Sequence, residues 1–163
     1  MDEGVSMWCQ TGSIYVWRYT APGRSRRSWH FTADPAGCAS IIDLIERMRV
    51  ADTMCHRTLS LGTVTADIWG VPNFGPPKRE HFAKLRIDYA PQAATLKLVE
   101  HEGRLDLGLG AARAADLMAA FAEVAVGLGD FGIATSEDKR TESWMFWGMP
   151  YSRGYYSTEG RVL

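Results

Sequence analysis

The chain lacks most of the features that announce a function. Its three cysteines, Cys9, Cys38 and Cys55, are odd in number and scattered. They form neither a disulfide framework nor a metal-ligand spacing, so reduced thiols and a cytoplasmic setting are expected. Neither sign of charge dominates: 18 Lys and Arg face 19 Asp and Glu, for a formal net charge of -1. That argues against nucleic acid and against an anionic membrane as partners. Long apolar runs are missing as well. The best candidate, 114–128, is interrupted by Asp116 and Glu123, so no membrane span is expected. The start, MDEGVSMWCQTG, lacks the basic region and apolar run of a targeting segment. No serine-hydrolase elbow, phosphate loop, kinase signature or zinc-protease motif occurs.

What is present reads as an ordinary globular chain. Its 163 residues suffice for one domain, and hydrophobic residues make up 46% and charged residues 23%. Six tryptophans are many for this length, and large aromatics serve cores or binding surfaces.

The local patterns alternate between strand and helix. Residues 13–20 (SIYVWRYT) and 28–32 (SWHFT) are β-branched and aromatic and predict strands. Asp34-Pro35 then opens a helix to about Arg49, with Ile41, Ile42, Ile45 and Met48 on one face. Strand signals return at 57–63 and 65–69, followed by a Pro-rich loop. In KLRIDY, Leu85, Ile87 and Tyr89 alternate with Lys84, Arg86 and Asp88, which predicts a sheet with one buried and one wet face. A hairpin is expected around Glu102-Gly103, and a helix over about 111–126 with Leu117, Met118, Phe121 and Val124 inward. Strands near 131–135 and 143–147 close the pattern.

Two phrases are nearly alike: DIWGVP, 67–72, and MFWGMP, 145–150. With the helix stripes they suggest an internal pseudo-duplication of a β-β-α-β-β unit. The expected fold is α+β, a largely antiparallel sheet of about eight or more strands with two helices on one face. The expected organisation is an N-terminal tail (1–12), one domain (13–150) with halves of about 13–75 and 82–150, and a C-terminal tail (151–163).

Candidate chemistry is sparse. Cys55 and His56 are neighbours on a strand and so point to opposite faces, which denies them a dyad by adjacency. His30, His56, His81 and His101 have no metal-clipping spacing, and neither metal nor cofactor is expected. GLGAAR, 108–113, resembles the opening of a dinucleotide fingerprint but ends in Arg113 and follows a hairpin strand, so a tight strand-to-helix corner is the expectation. Basic clusters at Arg18, Arg24, Arg26 and Arg27, and at Lys78, Arg79, Lys84 and Arg86, read as solvated surface.

The aromatic stripe WMFW, 144–147, is apolar on both sides, so both sides need cover. The leading expectation is therefore a non-catalytic interaction protein, a bacterial-type partner-binding or immunity-type module. It would form a homodimer or bind a protein partner. The first alternative is a small-molecule-binding domain with an aromatic cleft between the halves, taking a small apolar ligand on Trp69, Trp147, Trp144, Trp29 and His30. The second is an enzyme with a scattered Cys/His site. On motif grounds the chain reads as a non-enzyme.

Overall fold

The computed structural model describes residues 3–18, 29–69, 80–128, 131–134 and 143–148. The basic loop with Arg24, Arg26 and Arg27, the Pro-rich loop with Lys78 and Arg79, and the C-terminal tail lie outside them. Among the described residues thirteen elements follow one another: α1 (Glu3–Ser6), β1 (Ile14–Arg18), β2 (Trp29–Ala33), α2 (Pro35–Ala51), β3 (Cys55–Ser60), α3 (Ala66–Trp69), β4 (Glu80–His81), β5 (Lys84–Tyr89), β6 (Lys97–His101), β7 (Arg104–Leu109), α4 (Ala111–Ala125), β8 (Phe131–Ala134) and β9 (Ser143–Phe146).

The class is mixed α+β, but the strands form two sheets. The first runs β4-β1-β2-β9-β8 and the second β3-β5-β7-β6. Neighbours pair antiparallel except at one junction per sheet, β2 with β9 and β5 with β7, which are parallel. This corrects the expected single sheet, and the reason is width. Two helices about 10 Å across cover roughly 20 Å, or about four strands at ~4.8 Å each. The nine described strands must split to share them. The inner faces of both sheets and the buried stripes of α2 and α4 form one core.

The helices start and stop where local chemistry dictates. Asp34 caps α2: its Oδ1 accepts from the Gly37 amide at 2.7 Å and from the Ser13 amide at 3.0 Å, which ties the helix to the start of β1. The chain leaves α2 through Asp52 in the left-handed region at φ 51. Helix α4 begins at Gly110 with no side-chain cap. The β6–β7 turn uses Glu102 and Gly103 at φ 48 and 80, the pattern of a tight hairpin.

In β5, Leu85, Ile87 and Tyr89 are buried, and Lys84, Arg86 and Asp88 are more exposed on the outer face. The partner strands keep that alternation, with Leu105, Leu107 and Leu109 buried in β7.

Two local expectations change. Residues 3–12 are not a tail. Val5 and Trp8 lie in the core, the Trp8 indole donates to the Ser40 carbonyl at 2.9 Å, and Arg47 and Arg57 donate to the Gly4 and Val5 carbonyls at 2.7 and 2.6 Å. These partners are 32 to 52 residues away in the sequence, beyond any local pattern. Residues 65–69 are not a strand either. Thr65 accepts from the Ile68 amide at 2.9 Å, and α3 lays Ile68 over Trp17. Trp69 therefore ends a short helix, whereas Trp147 follows a strand, so the two tryptophans of the repeated phrase occupy different settings.

Candidate functional site

The outer face of the first sheet carries the aromatic cluster. Alternation along β1 and β2 sends Val16 and Phe31 inward, and Tyr15, Trp17, His30 and Thr32 outward. The ladder between β2 and β9 continues past the strand end, because the Trp147 amide donates to the Phe31 carbonyl at 2.9 Å and the Thr32 hydroxyl donates to the Trp147 carbonyl at 2.7 Å. That fixes Trp147 beside His30. The indole Nε1–H donates to His30 Nδ1 at 2.9 Å, with the two rings 21° from parallel. Trp17 lies against the same imidazole at 5.6 Å between ring centres and 22° from parallel. Ile68 and Val64 close over Trp17, and Gly62 approaches the Tyr15 ring so closely that a Cβ there would stand 2.5 Å from Cε1.

His30 is fully buried, and a nitrogen that accepts from an indole N–H cannot itself carry the proton there. The expected aromatic set divides accordingly. His30 and Trp147 meet on the outer face. Trp144 and Trp29 point into the helix-facing core, where Trp144 meets Phe121 at 5.9 Å and Phe31 at 5.7 Å. Trp29 packs on Phe82 at 5.4 Å under the Arg18 guanidinium at 4.5 Å. The backbone of Trp69 lies in α3, and its side chain is outside the description.

The second sheet turns a different surface outward. Its rows run straight across four strands: His56–Asp88–Gly108–Lys97, then Thr58–Arg86–Asp106–Val99, then Ser60–Lys84–Arg104–His101. Arg86 donates to Asp88 at 2.9 Å and Arg104 to Asp106 at 2.6 Å. The Arg104 hydrogen bond holds the Asp106 carboxyl below its ordinary value, against the opposing effect of burial, with Arg86 and His101 adding to the shift. From the sequence, only Lys84, Arg86 and Asp88 of these rows read as a wet face. The rows themselves come from register, which no single strand reveals.

Cys55 is buried and His56 exposed, on opposite faces of β3. Burial, with a smaller push from Asp34, raises the Cys38 thiol to about 12, far from a nucleophile's range. Among the described residues no three His, Cys, Asp or Glu side chains gather as metal ligands, and no helix is long and apolar enough to cross a membrane. The GLGAAR segment joins β7 to α4, which leads into β8 of the other sheet and so makes no dinucleotide-type βαβ unit. No protein-family model, curated protein or solved structure matches the chain.

Proposed function

We propose that the chain is a non-catalytic partner-binding module built from two related β-β-α-β-β units, and that its first partner is a second copy of itself. The observation that carries the binding reading is a set of unspent apolar side chains on contiguous elements. Met7, Val50 and Met54 are 68%, 72% and 77% exposed. They stand just after α1, in the last turn of α2 and in the α2–β3 link, and α1 is fastened to α2 and β3 by Arg47 and Arg57. Isolated exposed apolar residues are ordinary, but three on packed neighbouring elements suit a contact surface.

The duplication is supported by pairing and by burial together. The strand order β1-β2-β9-β8 in one sheet repeats as β6-β7-β5-β3 in the other once the halves are exchanged, with the parallel junction in the same place. The buried residues of α4, Ala114, Leu117, Ala120, Phe121 and Val124, each follow a buried residue of α2, Cys38, Ile41, Leu44, Ile45 and Met48, at one constant spacing. On this reading the units span about 14–89 and 97–146, and Trp69 belongs to an extra connection present in the first unit alone.

The test is native mass spectrometry and light scattering across micromolar concentrations. A concentration-dependent dimer that Val50→Lys or Met54→Lys converts to a folded monomer is the expected result. A monomer throughout, unchanged by either substitution, overturns the self-association reading.

A further inference from the structure

The open face of the second sheet has a gap in its first row. Between the Asp88 carboxylate and the Lys97 ammonium stands Gly108, with no side chain. A cavity of about 290 Å³ opens there, floored by Gly108 and walled by Ala93, Thr95 and Leu109. It lies at the carboxyl ends of the parallel strands β5 and β7, the end of a parallel pair at which ligands commonly sit.

Nothing in the fold requires glycine at this position. Its φ is not in the left-handed region, and a Cβ added there would meet nothing nearer than the Lys97 Cβ at 3.8 Å, an ordinary contact. Gly110, two residues on, is the opposite case, because a Cβ there would stand 2.3 Å from the Ala93 carbonyl oxygen. Glycine weakens a strand interior, and where no packing demands it, it marks a place where something else approaches the backbone.

The walls of the notch are held in place. The Ala90 amide donates to the Leu109 carbonyl at 3.0 Å and the Ala93 amide to the Ala90 carbonyl at 2.9 Å, so the 90–95 loop is tied to the end of β7. Arg86 fixes Oδ1 of Asp88, and among the described residues no donor engages Oδ2.

We propose that this notch binds a small zwitterion, an α-amino acid with an apolar side chain. Asp88 receives the ammonium, Lys97 the carboxylate and Thr95 a further hydrogen bond, while Ala90 and Ala93 receive the side chain. The volume is at the lower end of ligand pockets and suits a small molecule. The site is independent of the Met7, Val50 and Met54 surface, so either reading can fail alone.

The test is titration of ¹⁵N-labelled full chain with L-alanine, L-valine and L-leucine, read by amide shifts. At least one amino acid is expected to move the Gly108, Ala93, Thr95 and Lys97 amides saturably in the millimolar range. Its N-acetyl and carboxamide analogues, each missing one charge, are expected to fail. Gly108→Val fills the notch and abolishes the titration while thermal stability holds or rises. If that variant misfolds, Gly108→Ala and Lys97→Gln carry the same expectation. The proposal is overturned if none of the three amino acids moves those amides, if the singly charged analogues bind equally well, or if the shifts survive in the folded notch variants.

Discussion

Trp147 and His30, 117 residues apart, are joined by a 2.9 Å hydrogen bond from the indole Nε1–H to the imidazole Nδ1. The bond fixes the tautomer: Nδ1 must present its lone pair, so the neutral ring carries its proton on Nε2. Imidazole ¹⁵N spectra are expected to report an acceptor-type Nδ1. Trp147→Phe keeps an aromatic ring, a smaller one, and removes the donor. It is expected to cost about 1–3 kcal/mol in urea unfolding, the penalty for leaving a buried acceptor unpaired. A donor-type Nδ1 in the wild type would contradict this geometry.

Asp34 joins two elements with one oxygen, accepting from Gly37 in α2 and from Ser13 before β1. Asp34→Ala is expected to lower stability by about 1–2 kcal/mol. Gly110, at the matching start of α4, has no side chain to cap with, yet Gly110→Ala is also expected to destabilise, because its Cβ would press on the Ala90 and Ala93 carbonyls. Thermal melts of the two variants test the pair. Equal, negligible effects would mean that neither helix start is held as described.

Phe121 packs at 4.9 Å on Phe31 and at 5.7 and 5.9 Å on Phe146 and Trp144, at the meeting of α4 with the first sheet. Truncation there opens a cavity that three rigid rings cannot close. Phe121→Ala is expected to cost about 3–5 kcal/mol, whereas Met118→Ala, on the half-buried flank, costs clearly less. Chemical denaturation of both variants decides it.

The sequence made some of this architecture legible and hid the rest for physical reasons. Both long helices were readable because their apolar residues repeat at 3.6 and Asp34-Pro35 marks a start. The β5 alternation was readable because one face is wet. The N-terminal turn was not, because Val5 and Trp8 depend on Ser40, Arg47 and Arg57, far along the chain. The Trp-Gly-x-Pro repeat misled, since a matching phrase does not ensure a matching setting. Trp69 ends a helical turn and Trp147 extends a strand ladder. Of the candidate aromatics, His30 and Trp147 met because they share a parity in paired strands, while Trp29 and Trp144 have the opposite parity and went to the core. The Gly108 notch passed as part of a strand-to-helix corner, because only the register with Asp88 and Lys97 gives it flanks.

The cysteines offer a pH-dependent test. Cys38 is buried and its thiol is pushed from the ordinary 9.0 to about 12, so the native state keeps the proton where the unfolded chain releases it. The folded value is raised, so the stabilisation is full below pH 9 and is lost as pH climbs from about 9 toward 12. One such proton changes unfolding free energy by about 1.4 kcal/mol per pH unit in that window. The Tyr89 phenol, raised by burial and by Asp52, acts in the same direction above pH 10. Urea unfolding at pH 8, 9.5 and 10.5 is therefore expected to show falling stability, and Cys38→Ala is expected to flatten the slope while lowering the value at pH 8. In parallel, a thiol reagent at pH 8 should label exposed Cys9 rapidly and Cys38 only on unfolding. Fast native labelling of Cys38, or a slope untouched by Cys38→Ala, would contradict its buried placement under the first turn of α2.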